Sequence, residues 1–258
     1  DYTVDNSVRF NSGDSPYLAR TPGSAGSART FTISFWVKRS KTGSDNTFFE
    51  GWKTPMSDAN SLQAAFNSSD EFSMQTDSAA TILTTNQLFR DFSAWYHFCI
   101  AFDTTQGVAA DRIKLYVNGS QVTSFRQETY PAEDFDYVGI KEGEFTIGSG
   151  HNGTSYHNFQ GGYFAEWYFI DGTQYAASDF GETNSTTNQW IPKDASGLTF
   201  GTNGFYQKYG STEANTISDS SSTSWTAPEG ITSVDYLVVG GGGGGGSSVT
   251  GATATGYN

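Results

Sequence analysis

Residues 95–122 constrain the fold of this chain more than any other stretch. Apolar side chains occupy every second position from Ile113 to Val117, which is the period of a β-strand with one buried face. The dipeptide Asn118-Gly119 follows directly and favours the positive φ angles of a tight hairpin turn. Residues 95–102 are aromatic or aliphatic on both faces, so we interpret them as a central, doubly buried strand.

Short segments with strand character occur along most of the chain. Residues 31–37 place Phe31, Ile33, Phe35 and Val37 on one face. Further strands are predicted at residues 48–52, 61–66, 72–76, 82–88, 163–170 and 204–208. Turn residues separate these segments, and none shows helical periodicity. The pattern predicts an all-β, antiparallel sandwich.

Composition limits the classes of partner and the reactivity of the cysteine. The chain has 14 basic and 27 acidic residues, a formal net charge of −13. Nucleic acids and anionic membranes repel such a surface, and no apolar run approaches the length of a membrane span. Aromatic residues make up 16% of the chain, which suits a core filled by flat rings. The lone Cys99 has no partner for an intrachain disulfide, so we expect a buried, unreactive thiol.

The order of these segments carries a family resemblance. The strand Trp95-Tyr96-His97 followed by the hairpin Tyr116-Val117-Asn118-Gly119, with Phe31–Lys38 before it and Phe159–Glu166 after it, resembles laminin-G-like or pentraxin-like domains of the concanavalin A-like class. The resemblance implies a jelly-roll β-sandwich over residues 1–208. His97 is expected to be a structural histidine, hydrogen-bonded inside the sandwich.

The composition changes after residue 208. Residues 209–226 are rich in Ser, Thr and Asn and are interpreted as a linker. Residues 227–258, with glycine at every position from 240 to 246, are interpreted as the start of a glycine-rich module. This extension resembles glycine-rich repeats that follow lectin-like modules in bacteriophage tail-fibre and other virion proteins. The glycine run itself fits either a flexible tether or closely packed extended chains.

The resemblance to pentraxins raises the question of calcium. Asp45-Asn46 matches the first pair of ligands in those relatives, but the later loop, residues 149–153, holds no carboxylate, and Gln160 stands where they carry an acid. Calcium requires several hard oxygen ligands. We therefore expect no cofactor, with calcium at Asp45 and Asn46 as the weaker alternative and an ordinary turn as the plain one.

Catalysis is not expected. Sandwich glycosidases place carboxylates on alternating positions of one strand, so that two of them flank the sugar bond. The only such alternations are Glu142 with Glu144 and Asp134 with Asp136, and neither lies in a clear strand.

Residues 148–160 form the richest candidate recognition loop. Aromatic faces, amides and carboxylates are the groups that bind sugars, and this loop supplies His151, Asn152, Tyr156, His157 and Asn158 together. If the resemblance holds, Trp52 lies at the same edge. The alternative is that these are ordinary turn residues beside an aromatic at the rim.

The sequence therefore predicts a non-enzymatic virion structural protein, a phage fibre or decoration element, whose lectin-like domain binds host cell-surface polysaccharide. The expected location is the virion surface or the extracellular space. Expected partners are other virion proteins and further copies of the chain, a homo-oligomer, trimeric if it follows the fibre proteins. The alternatives are an architectural module without a ligand and a secreted glycan-processing enzyme.

Overall fold

The computed structural model describes residues 2–77 and 80–210. The strands, in chain order, are β1 (Val8–Phe10), β2 (Leu18–Arg20), β3 (Thr30–Arg39), β4 (Asn46–Trp52), β5 (Ser61–Phe66), β6 (Glu71–Gln75), β7 (Thr81–Leu88), β8 (Trp95–Asp103), β9 (Ile113–Val117), β10 (Ser120–Gln121), β11 (Phe125–Glu128), β12 (Glu144–Ile147), β13 (Gly150–His151), β14 (Tyr156–His157), β15 (Gly162–Asp171), β16 (Gly181–Thr183), β17 (Trp190–Pro192) and β18 (Phe205–Gln207). The helical elements are α1 (Val138–Glu142) and 3₁₀ turns at Ser12–Asp14, Ala109–Asp111 and Ala177–Asp179.

Two large sheets stack face to face. The first has the strand order β1-β15-β3-β8-β9-β10, and β18 also pairs with β15. The second has the order β11-β7-β6-β5-β4-β12-β2, and adjacent strands in both sheets run antiparallel. Two small hairpins, β13–β14 and β16–β17, lie outside these sheets. The predicted antiparallel sandwich is confirmed.

The central hairpin forms as its sequence predicts. Strand β8 pairs with β9 in the register Phe98↔Val117, and Asn118 and Gly119 form the tight turn from β9 to β10 with φ angles of 47° and 79°. The Asn118 side chain accepts a hydrogen bond from the backbone N–H of His97 at 2.8 Å, so the turn is also anchored to β8.

Aromatic rings fill the space between the sheets. Phe35 stacks on Trp167 with ring centroids 4.3 Å apart, and Phe48 packs edge-on against Phe66 at 4.6 Å. The other face of β3 is buried as well, as the 0% exposure of Thr32 shows. Sequence periodicity assigns only one buried face to this strand, because it does not reveal what covers the outer face.

That cover comes from residues 173–192. Residues 177–192 contain a 3₁₀ turn and the hairpin β16–β17. A second apolar cluster, which includes Tyr168, Ile170 and Phe180, forms on this side of the sheet. Cys99 belongs to the same cluster, and burial raises the pKa of its thiol. The connection at residues 123–144 likewise contains β11 and α1.

The chain divides into two units, residues 1–220 and 221–258, and the sandwich belongs to the first. The predicted linker extends past residue 210, so most of it and all of the predicted glycine-rich module lie outside the described residues. Within the described part of the chain, no helix is long and apolar enough to cross a lipid bilayer.

Candidate functional site

The hairpin β13–β14 packs against Trp52, the last residue of β4. The imidazole of His151 lies flat on the Trp52 indole, with ring centroids 3.5 Å apart and planes 6° from parallel. Tyr156 contacts His151 edge-on at 4.7 Å. The structure thus brings together three of the residues that the sequence proposes for recognition. We call this edge, formed by Trp52 and residues 150–158, the rim.

A carboxylate of β12 fastens the rim to the sheet. Glu144 Oε1 accepts a hydrogen bond from Tyr156 OH at 2.7 Å and from Trp52 Nε1 at 3.2 Å. On its other side Tyr156 stacks against Tyr17 at 4.1 Å. Burial, together with the bond to Glu144, raises the pKa of Tyr156, so the phenol stays protonated and remains a donor. The two aromatic side chains are therefore held in fixed orientations.

A second carboxylate, Glu50, lies beneath the hairpin. It is 2% exposed and accepts hydrogen bonds from the backbone N–H of His151 at 2.6 Å, from Ser61 Oγ at 2.6 Å and from Gln63 Nε2 at 3.1 Å. Burial raises the pKa of Glu50. Sequence reasoning missed this residue, although an acid inside the apolar run of β4 is a signal that could have found it.

The proposed recognition residues differ in how far they reach solvent. His151 is 7% exposed, and its Nδ1 accepts a hydrogen bond from Gly153 N–H at 2.9 Å, so this side chain supports the loop. Asn152 is exposed, but its Oδ1 accepts from the backbone N–H groups of Thr154 and Ser155 at 3.0 and 2.9 Å. Burial lowers the pKa of His151, which favours the neutral imidazole.

The two remaining recognition residues complete the rim. His157 and Asn158 are partly exposed, and Asn158 adopts a left-handed conformation with φ 53°. Partial burial lowers the pKa of His157. The backbone carbonyl of Asn158 accepts a hydrogen bond from Thr47 N–H at 2.9 Å, which places the start of β4 beside the hairpin.

The residues proposed for calcium lie at the start of β4. Asp45 is exposed, whereas Asn46 is 1% exposed and is engaged within the protein. The Asn46 amide donates to Ser44 O at 2.5 Å and its carbonyl accepts from Gly161 N–H at 3.3 Å. In residues 2–77 and 80–210, no three His, Cys, Asp or Glu side chains are grouped as metal ligands. The expectation of no cofactor, with calcium at Asp45 and Asn46 as the weaker alternative, stays a prediction.

His97 lies in the centre of β8 with 0% exposure. Trp190 Nε1 donates a hydrogen bond to its Nδ1 at 3.0 Å, and Ser34 Oγ lies 2.9 Å from its Nε2. Because Nδ1 accepts from the indole, the neutral ring carries its proton on Nε2 and donates to Ser34. Burial lowers the pKa of His97 to about 3. Its surroundings are those of a structural histidine.

A family model described as the concanavalin A-like lectin/glucanases superfamily matches residues 11–163, more than half of the chain. The chain belongs to this superfamily. A glycine-rich domain model matches residues 216–257 and begins inside the segment interpreted as a linker. No curated protein matches the chain.

Solved structures place this concanavalin A-like domain among known sandwiches. A native heptameric SAP-like pentraxin from Limulus polyphemus is 12% identical, with a TM-score of 0.52, over 81% of this chain and 97% of the pentraxin. Domains LG4-5 of the mouse laminin alpha1 chain are 13% identical, with a TM-score of 0.44, over 65% of this chain and 41% of that one. A Ruminococcus gnavus sialidase CBM40 bound to alpha2,3 sialyllactose is 14% identical, with a TM-score of 0.38, over 57% and 89%. The match to the pentraxin shows likeness of fold alone.

Proposed function

We propose that the sandwich is a non-enzymatic, glycan-binding module that uses the rim to attach to a cell-surface polysaccharide. The observation that carries the proposal is the fixed aromatic pair, Trp52 and Tyr156, beside the polar side chains of Asn152, His157 and Asn158. Aromatic faces take the C–H surfaces of a sugar, and the polar groups take its hydroxyls. Because the rings are already held by His151 and Glu144, binding costs little side-chain entropy.

The setting of Glu50 supports binding over catalysis. A glycosidase needs two carboxyl groups that flank the scissile bond and reach the substrate. Glu50 is 2% exposed, and its carboxylate oxygens accept hydrogen bonds from Ser61, Gln63 and the His151 backbone. Glu144, on the neighbouring strand, is engaged by Trp52 and Tyr156. Both carboxylates thus act as anchors for the rim.

We further propose that the chain acts in a virion, as a fibre or decoration element, together with other virion proteins and further copies of itself. The supporting feature is the order of modules, in which a glycine-rich domain follows a lectin-like sandwich. The net charge of −13 supports a surface that stays in solution and avoids nucleic acid. Mass measurement of the native assembly tests this part, and a strictly monomeric chain would contradict it.

The binding experiment uses the full chain on an array of bacterial capsular polysaccharides and lipopolysaccharide O-chains, with calcium and with a chelator. The double variant His157→Ala/Asn158→Gly removes both side chains, and glycine adopts the left-handed φ of residue 158 without strain. We expect an unchanged melting temperature and loss of the array signal. Asn188→Gly is the matched control, because Asn188 is exposed and also left-handed, with φ 57°.

The architectural alternative makes a different prediction. The polar groups beneath the rim are satisfied within the protein, which is also what a purely structural edge requires. Silence of the wild-type chain on the array, with and without calcium, would favour that alternative and reject glycan binding. A signal that survives in the double variant would keep glycan binding and reject the rim as its site.

A further inference from the structure

A groove of about 320 Å³ lies on the outer face of the first sheet, away from the rim. It is lined by two strand tryptophans and an alanine, by the hairpin β16–β17 and by the N-terminal segment, namely Trp36, Trp95, Ala165, Trp190, Pro192 and residues 4–7. Three indoles thus surround one opening. We call it the tryptophan groove.

The strand register explains the opening. Ala165 of β15 is paired with Trp36 of β3. Two residues further along β3, Lys38 is paired with Trp95 of β8. Alanine is too small to cover the Trp36 indole from its side. Trp36 remains 9% exposed, and its indole N–H has no hydrogen-bond partner among the described residues.

Trp190 is locked in place beside this opening. Its indole N–H donates to His97, and the ring covers two glycines. A Cβ at Gly119 would lie 2.3 Å from the Trp190 ring, and one at Gly181 would lie 2.6 Å from it, so only glycine admits the indole at these positions. The hairpin therefore presents this tryptophan in one fixed orientation.

The N-terminal segment supplies the polar side of the groove. Tyr2 OH donates to Glu166 Oε2 at 3.0 Å, and Val8 pairs with Phe164, so residues 4–7 are held at both ends. Asp5 is exposed and Asn6 is partly exposed. Neither side chain forms a hydrogen bond or an ion pair with another residue in the described part of the chain. The Asp5 carboxylate and the Asn6 amide, beside three indoles, are therefore available to form hydrogen bonds with a ligand.

We propose that the tryptophan groove holds sugar rings of a polysaccharide, with the indoles on the C–H faces and with Asp5 and Asn6 on the hydroxyls. This inference rests on the proposed glycan-binding function and places a binding site on the sheet opposite the rim. The volume lies at the small end of the range for ligand pockets, roughly 300–1,000 Å³, which suits a short stretch of a chain.

The mixed lining favours a sugar over a purely apolar ligand. An apolar ligand would cover Asp5 and Asn6 without giving them hydrogen bonds, and burying unpaired polar groups is costly. Sugar hydroxyls satisfy the same groups, while the ring carbons replace water on the indoles. The lining contains no Lys or Arg, so the groove does not offer the charge pairing that an anionic ligand needs.

Two variants of the full chain test the groove on the same polysaccharide array. Trp95→Ala removes one indole at the edge of the sheet. Asp5→Ala/Asn6→Ala removes two side chains that form no hydrogen bond or ion pair with the rest of the described chain, so it keeps the test open if Trp95→Ala impairs folding. We expect each variant to weaken binding about tenfold or more, the usual effect of truncating a central contact, with unchanged melting for the Asp5/Asn6 variant.

The rim variant His157→Ala/Asn158→Gly separates the possible outcomes. Binding that falls about tenfold or more in the groove variants supports the inference: a rim variant that also loses its signal then means that both surfaces contact the polysaccharide, and a rim variant that keeps it leaves the groove as the site. Full binding by both groove variants overturns it, whether or not the rim variant loses its signal. Silence of the wild-type chain also overturns it, and that result rejects the proposed function at the same time.

Discussion

Acidification from pH 7 to pH 5 should lower the stability of the fold through one residue of the central strand β8, His97. His97 is fully buried between Ser34 and the Trp190 indole, and it accepts the indole N–H on Nδ1. Protonation would place a second donor against that N–H and a charge in an apolar layer. The folded protein therefore excludes the proton that the unfolded chain takes up.

The magnitude follows from the pKa of His97 in the two states. The ordinary value is 6.5, and burial lowers it to about 3 in the fold. A histidine with a depressed pKa contributes stability above 6.5 that is lost as the pH falls toward 3. Each pH unit below 6.5 costs about 1.4 kcal/mol, so we expect the free energy of unfolding to fall by about 2 kcal/mol between pH 7 and pH 5.

Urea unfolding, followed by tryptophan fluorescence at pH 7, 6 and 5, measures this loss. His97→Gln is the comparison, because its amide does not titrate while the other groups of the chain do. The variant is less stable at pH 7, since the ring packing against Trp36 is lost. Its further loss on acidification should be smaller than that of the wild type by about 2 kcal/mol. Equal losses in the two proteins would refute the argument, because His97 would then titrate normally in the fold.

Three further outcomes follow from buried groups. Glu50 has a raised pKa, so its contribution to stability falls as the pH rises from 4.5 through the raised value; urea unfolding between pH 4 and 7 should show that Glu50→Gln lacks this fall, so that its stability relative to the wild type increases with pH. Asp70→Ala leaves the Arg39 guanidinium, which is 2% exposed and 3.1 Å from that carboxylate, without its counter-charge. The same assay at pH 7 should show a loss of about 3–5 kcal/mol, and a loss below about 1 kcal/mol would contradict the pairing. Burial raises the pKa of the Cys99 thiol, so it should react with a thiol reagent such as DTNB only after unfolding; fast reaction of the native chain would disprove its burial.

The central hairpin could be predicted from the sequence because its determinants are local. The period of two in β9 and the dipeptide Asn118-Gly119 specify strand and turn within a few residues of one another. The doubly buried character of β8 was also readable, since its residues are apolar on both faces. The outer cover of β3 was not, because it comes from residues 173–192, far along the chain.

The candidate site divides in the same way. Composition identified the loop at residues 148–160, but it could not show that His151 turns inward. That orientation depends on Glu50, which is 101 residues away and holds the His151 backbone N–H. Trp190 was likewise unassigned, because its position follows from a hydrogen bond to a histidine 93 residues earlier and from two glycines that make room for the ring.

The two hairpins outside the main sheets explain why the sandwich offers two candidate surfaces. The hairpin β13–β14 is tied down by Glu50 and Glu144, so its aromatic rings become part of the fold and leave a shallow edge. The hairpin β16–β17 is fixed mainly through Trp190 and ends beside the small Ala165, so three indoles stay next to open space. Affinity for a sugar grows with the aromatic area that loses water on binding. Under the proposed glycan-binding function, we therefore expect the tryptophan groove to contribute more to affinity than the rim, and the rim, with more exposed polar side chains, to contribute more to the choice of sugar.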